Sequence, residues 1–342
     1  MAFRILTLAL LLITLHTAPA LADSDAPSLH EADTRAGVIL SYHHINNEHD
    51  NALSQEQFTG HMNLLGSGDY ALQPLPALSK SLRNNQKTSP HSIALTFDVM
   101  NIAIFESLIQ RSSPFTIFIA PDKLTKTQRK WVSKQRDNAL ITFGLTTTFS
   151  SPHDIETSRR TLHKAITEFR GITAQQPHYF SYQAGLYTRQ IQELITSNGF
   201  KAAFGQQSGV AYNGSDMMTL PRFTMTAQHG GMERFEMIIN ALPLPTAALA
   251  PTASITRTAT PAIGMTLPEE LENKADINCF VNGQEKPRLI FPSPKRLEIR
   301  LTDALQPHRR TRINCITKAD KDEKTGQMRW RWGGFLLQYS PQ

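Results

Sequence analysis

The chain has 342 residues, 40% of them apolar and 8% aromatic. That excludes a disordered, collagen-like or low-complexity protein and is enough to fill a sizeable core. Its 35 Lys and Arg against 29 Asp and Glu leave a net charge of +6, an excess too small to name a partner.

Residues 1–22 come first. Arg4 precedes an apolar run from Ile5 to Leu15, and Ala20-Leu21-Ala22 follows as a small-x-small cleavage pattern. The run is shorter than the roughly 20 apolar residues of a membrane span, and His16 and Pro19 end it. It reads as a secretory signal peptide and predicts a periplasmic or secreted protein with no membrane span after cleavage. Export in turn disfavours a nucleic-acid partner. It also predicts a disulfide between Cys279 and Cys315, the only two cysteines. Two cysteines without matching histidines make a poor zinc site.

From about residue 35 to 245, strand-like runs alternate with helix-like stretches. The strands are Val38–Ile45, Ser92–Val99, Phe115–Ala120, Ala139–Leu145, His178–Tyr182 and Lys201–Gly205. Between them, Phe58, Met62 and Leu65 share one helix face, as do Leu162, Ile166 and Phe169. Ile191, Leu194 and Ile195 form another apolar face, closed by Asn198-Gly199. Short buried strands alternating with amphipathic helices predict an α/β protein with a parallel sheet or a distorted (β/α) barrel. Residues 246–263, rich in Pro, Ala and Thr and without periodicity, read as a linker. Residues 264–342 read as a small antiparallel β module of five short strands, stapled by Cys279–Cys315. The mature charge lies there: residues 256–342 hold 15 basic and 10 acidic side chains, whereas residues 23–255 are balanced.

The strand ends carry a pattern. In chain order they read SYHHI (41–45), LTFDV (95–99), FGLTTTFS (143–150), FSYQAGLY (180–187), FGQQSG (204–209) and LPRF (220–223). In order and spacing the chain, over residues 35–245, resembles the polysaccharide deacetylases, the NodB homology domain of carbohydrate esterase family 4. The resemblance implies a distorted (β/α) barrel. It also implies hydrolysis of N-acetyl groups on an amino-sugar polymer with a divalent metal such as zinc. In the family motif Thr-Phe-Asp-Asp-Gly the first Asp is the general base and the second a metal ligand. His-x-x-x-His supplies two more ligands, Arg-x-Pro-Tyr-Gly orients the base, and a late His is the general acid.

Thr96-Phe97-Asp98 keeps the base position, but the metal-binding Asp is Val99. The His-x-x-x-His positions fall on Thr146 and Ser150, and the motif Arg, Pro and Tyr on Ser181, Gln183 and Ala184. No histidine lies near Leu242–Pro245. An isopropyl group ligates no cation, and neutral hydroxyls are weak ligands for a zinc-like ion. The sequence thus predicts no bound cofactor and a folded, exported protein that acts on or binds an N-acetylated envelope polysaccharide without deacetylating it.

An active carbohydrate hydrolase is the alternative. It would use a relocated metal at Asp98 with His44 or His153, or Asp98 with a second carboxylate as in a glycosidase. His43 and His44 are adjacent on a strand, so one of them faces the cleft. Tyr182, Gln183, Tyr187 and Arg222 are cleft or substrate candidates beside His44. In the C-terminal module Trp330 and Trp332 share one strand face, with Arg329 and Arg331 on the other. The tryptophans offer a platform for sugar rings and the arginines a grip on an anionic polymer, or else the tryptophans are core and the arginines a solvated face. The sequence sets no oligomeric state.

Overall fold

Strands that are apolar on both faces need cover on both faces, and helices supply it here. The computed structural model describes residues 25–46, 48–271, 274–322 and 326–341. The segment read as a signal peptide, residues 1–22, lies outside the described residues.

The central sheet contains β1 (Ala36–Tyr42), β2 (Ala71–Leu72), β3 (Ser92–Phe97), β4 (Phe115–Ile119), β5 (Ile141–Thr147), β6 (Tyr179–Tyr182), β7 (Ala202–Phe204), β8 (Ala211–Tyr212) and β9 (Phe223–Met225). Its order is β7-β6-β5-β4-β3-β1-β8, with β9 also beside β1 and β2 beside β3. All neighbours are parallel except β8, which runs against β1. The sheet curls into a partial, distorted (β/α) barrel.

Among the described residues eight α-helices accompany it: α1 (Leu29–Thr34), α2 (Gln55–Leu65), α3 (Leu75–Arg83), α4 (Ile102–Gln110), α5 (Lys126–Gln135), α6 (Ile155–Thr173), α7 (Arg189–Ser197) and α8 (Met232–Ile239). Local chemistry fixes their ends. Ser54 and Gln57 form a capping box at α2, and Thr125 and Gln128 one at α5. Asp154 and Thr188 cap α6 and α7. The apolar positions read from the sequence are buried in α2 (Phe58, Met62, Leu65) and α7 (Ile191, Leu194, Ile195), and in α6 Leu162 and Phe169 are buried while Ile166 is half-buried.

One buried polar group ties α2 into the barrel. His61 is fully buried and stacks on Phe235 at 3.7 Å. Its Nε2 lies 2.9 Å from the carbonyl of Gly230 and its Nδ1 3.2 Å from the Tyr42 hydroxyl. A carbonyl only accepts, so Nε2 carries the hydrogen and Nδ1 accepts from Tyr42. Burial lowers the imidazole pKa to about 4, against the opposing effect of the Gly230 hydrogen bond. The folded value lies below the free one, so this contribution to stability is whole above pH 6.5 and is lost as the pH falls toward 4. We expect His61 alone to account for about 3 kcal/mol of the stability lost across that window as the melting temperature drops. His61→Gln should flatten the profile, and an unchanged slope in that variant would refute the assignment.

The C-terminal body is built from β10 (Leu242–Pro243), β11 (Ala247–Ala250), β12 (Ile255–Thr256), β13 (Ile263–Thr266), β14 (Asn278–Val281), β15 (Arg288–Ser293), β16 (Arg296–Arg300), β17 (Arg310–Lys321) and β18 (Met328–Tyr339). One sheet runs β10-β18-β17-β14 with β12 also on β18, and a second runs β11-β13-β16-β15. A disulfide joins Cys279 and Cys315, register partners on β14 and β17.

The stretch read as a linker differs from expectation. Two of its segments are strands, β11 pairing with β13 and β12 with β18. They are only four and two residues long, too short for a periodicity to announce them.

The C-terminal body is also not a loosely tethered module. β18 alternates as expected, yet both faces are covered near its start. Trp332 is buried edge-on against Phe223 of the barrel, with ring centroids 5.2 Å apart. Arg331 is buried in a two-pronged ion pair with Asp33 at 2.6 and 2.9 Å, and Arg329 donates to the carbonyl of Asn240. Trp332 therefore serves as packing between the two bodies rather than as an open sugar platform, while Trp330 is half-buried. Asp33→Ala would strand the Arg331 guanidinium without its partner. It should cost about 2–3 kcal/mol in urea unfolding, and a loss under about 0.5 kcal/mol would count against an anchoring role.

Candidate functional site

In barrels of this kind, side chains for chemistry project from the C-terminal ends of the strands. Here those ends surround a cavity of about 680 Å³. Asp98 and Val99 follow β3, Thr146 ends β5, Ser181 lies in β6, and Gln183 follows it.

Asp98 is not a free carboxylate. Arg222, fully buried, grips it with two parallel hydrogen bonds, Nη1 to Oδ1 at 2.9 Å and Nη2 to Oδ2 at 3.0 Å. The remaining donors of Arg222 go to Gly205 O (2.9 Å), Thr96 Oγ1 (3.1 Å) and Ser181 Oγ (2.7 Å). All five N–H groups are satisfied, which is how so buried a guanidinium is tolerated. Phe118 lies under it at 5.2 Å. Burial pushes the Asp98 carboxyl up, but Arg222 and then His43 outweigh burial and hold it below the usual carboxylate range. Ser181 stands where the motif arginine of the resemblance would be, and Arg222 reaches its hydroxyl from the entry to β9.

His43 Nε2 lies 3.2 Å from Asp98 Oδ2, 3.3 Å from Ser41 Oγ and 3.2 Å from Gln206 Nε2. Ser, His and Asp thus meet, but at a single ring nitrogen. A nucleophile relay needs acid and hydroxyl on opposite nitrogens, and Ser41 is fully buried, so this is no hydrolase triad. Burial pulls the His43 pKa to about 4 despite Asp98, which keeps the ring neutral at neutral pH. Both His43 and His44 line the cavity, contrary to the strand-alternation expectation. β1 ends at Tyr42, and the pleat that separates successive side chains ends with it. His44 stacks on His49 with ring centroids 4.0 Å apart.

The divalent metal implied by the resemblance does not fit these residues. Val99 and Thr146 line the cavity without an anionic or imidazole donor between them, and Ser150 is exposed outside it. Asp98 is committed to Arg222. Among the described residues no group of three His, Cys, Asp or Glu side chains gathers as a ligand set. His153 does not line the cavity, so it does not complete a relocated site with Asp98.

Other candidates fall elsewhere. Tyr182 and Tyr187 are buried, with ring centroids 4.7 Å apart, in the barrel core rather than at the rim. Gln183 is on the cavity wall and accepts hydrogen bonds from Lys123 Nζ (3.5 Å) and from the Thr148 hydroxyl. Gly185 holds φ +73°, and a Cβ there would meet Gln206 at 2.7 Å, so the turn after β6 needs glycine.

The sequence reading missed Lys123, Arg310 and Arg312, which also line the cavity. Arg310 donates to Ala184 O (3.1 Å) and Gln206 Oε1 (3.2 Å), while Arg312 reaches Gln206 Oε1 at 3.5 Å. Both sit on β17, so the C-terminal body supplies part of the cavity wall. The signal was present: Arg310 and Arg312 alternate with the buried Thr311 and Ile313, which puts two arginines on one strand face.

No family model and no curated protein sequence matches the chain. Solved structures do. IcaB from Ammonifex degensii superposes with a TM-score of 0.54 at 17% identity, covering 60% of this chain and 98% of its own. The Streptococcus pyogenes deacetylase PplD, solved in complex with acetate, gives 0.53 at 13% identity over 60% and 98%. A polysaccharide deacetylase from Bacillus cereus gives 0.52 at 17% identity, with 60% and 69% covered. The chain has the polysaccharide deacetylase fold. The distorted barrel expected from the strand-end motifs is therefore the observed one. At these identities the likeness concerns the fold, and the site must be judged on its own side chains.

Proposed function

We propose that this is an exported polysaccharide-binding protein built on the deacetylase fold and lacking deacetylase activity. The observation that carries the reading is the state of Asp98. At the family's base position stands a carboxylate locked to a fully buried arginine, with Val99, Thr146 and Ser150 at the positions of the metal ligands. The chemistry of metal-assisted amide hydrolysis needs an ion to polarise the carbonyl and a base to take the proton from water. Among the described residues this site gathers no set of three ligands for the ion, and its one carboxylate is not a free base. A carboxylate pair of the glycosidase type also finds no support, since Asp98 is the one carboxylate on the cavity wall among the described residues.

Export is supported by the pattern of residues 1–22 and by the Cys279–Cys315 disulfide, which persists in oxidising compartments. Among the described residues no helix is long and apolar enough to cross a membrane. The purified chain, incubated with N-acetylglucosamine oligomers and Zn²⁺ or Co²⁺, is expected to release no acetate above a metal-free control. Its melting temperature is expected not to rise with either metal. Metal-dependent acetate release would overturn the reading.

A further inference from the structure

The polysaccharide reading leaves open which kind of glycan the cavity accepts, and the charges on its wall bear on that question. Asp98 is its only carboxylate among the described residues, and Arg222 neutralises it from behind. Against it stand Lys123, after β4, and Arg310 and Arg312, from β17. Among the described residues neither Arg310 nor Arg312 forms an ion pair, and their partners are the neutral oxygens of Ala184 and Gln206. Arg312 is half-buried, and Arg310 and Arg234 crowd it with like charge; burial first, and these neighbours second, lower its pKa to about 10. Held cations without counter-charges raise the free energy of the empty site, and an anion relieves that cost. Neutral hydrogen-bonding groups share the wall, among them Asn51, Gln183 and Asn282. Guanidinium forks bind carboxylate and phosphate oxygens bidentately, which a neutral sugar hydroxyl does not exploit.

We infer that the cleft binds an anionic glycan, with Arg310 and Arg312 of the C-terminal body and Lys123 of the barrel holding its acidic groups. The inference rests on the polysaccharide-binding reading and narrows it to chains bearing oxyanions, either uronate carboxylates or phosphate esters. In this arrangement β17 lays fixed positive charge over the place where the fold's active relatives would work on a neutral acetamide. The ligand would bridge the two bodies, which meet at Asp33–Arg331 and Trp332–Phe223.

The test is calorimetric titration of the full chain with three probes: an oligogalacturonate, a glycerol-phosphate oligomer and neutral chitopentaose. At least one anionic probe should bind about tenfold or more tightly than chitopentaose, and which one does so separates carboxylate from phosphate recognition. Its affinity should fall steeply as NaCl rises, because the groove is open to screening. The Arg310→Gln/Arg312→Gln variant should lose about 10- to 100-fold for the anionic probe, as expected for charged hydrogen bonds, with little change for chitopentaose. Lys123→Gln, at an exposed position, should lose less while folding normally, and the salt series on the unaltered chain provides a readout independent of any variant. Equal or tighter binding of chitopentaose, insensitive to salt and to the arginine substitutions, would overturn the anionic inference and leave polysaccharide binding standing. Failure of every probe to bind would overturn both. Acetate release with added metal would overturn the inactive reading alone.

Discussion

Replacing Arg222 by methionine is expected to remove about 3–5 kcal/mol of folding stability, among the largest effects of any single substitution in the barrel. The size follows from what is left behind. Asp98 would keep a negative charge against the barrel interior with its two-pronged partner gone, and burial alone pushes its proton affinity up. Gly205, Thr96 and Ser181 would also lose the donor that satisfies them. Arg222→Lys should fare little better, because one ammonium group cannot reproduce five donors in a plane. Adding Asp98→Asn to Arg222→Met removes the stranded charge, so the double variant should be more stable than additivity predicts, by about 1–3 kcal/mol. Urea unfolding of the two single variants and the double provides the full cycle. Additivity within about 0.5 kcal/mol would show that the pair is not coupled and that Asp98 is more hydrated than its contacts imply.

The second large effect concerns the C-terminal body. Reducing the disulfide, or replacing both cysteines by alanine, should cost about 3–4 kcal/mol on the chain-entropy account for a loop of this length. The bridge closes a separation of 36 residues between directly paired strands. β17 carries one of its cysteines and also both cleft arginines, so loosening β14 from β17 frees the strand that walls the cavity. Unfolding in urea with and without reductant would measure the cost, and tryptophan fluorescence would follow Trp332 as it leaves Phe223. A shift below about 1 kcal/mol would mean that packing of β17 between β14 and β18 suffices without the covalent bond.

The acid response separates by group. His61 and His43 both have folded pKa values near 4, below the free imidazole value, so protonation between pH 6.5 and 4 works against folding at each. Asp98, held low by Arg222, loses its contribution only further down the scale.

Much of the barrel was legible because its signals are local. Runs such as Ser92–Phe97 and Phe115–Ile119 are buried along their whole length, and a strand covered on both faces announces itself as an unbroken apolar run. The C-terminal stop at Asn198-Gly199 follows from residue chemistry within one turn. The absence of liganding side chains at Val99 and Thr146 was also plain, since a residue's chemistry needs no neighbour to be read. Tyr182 and Tyr187 show the limit. An aromatic residue near a strand end has the same letter whether it faces a cleft or the core, and burial decided for the core.

Read from local pattern alone, the chain shows its alternation of strands and helices, the non-ligating side chains at Val99, Thr146 and Ser150, and the concentration of positive charge in its last quarter. Where that charge goes is set by long-range contacts. Arg222 reaches Asp98 across 124 residues of chain, and Arg310 reaches Gln206 across 104. A period-two alternation tells that Arg310 and Arg312 share a face, but it cannot tell which body that face is packed against. That depends on β10 and β12 pairing with β18, on the Asp33–Arg331 anchor, and on Trp332 seated against Phe223. These are long-range contacts whose partners have no common local pattern, and they turn a basic tail into one wall of the barrel's cleft.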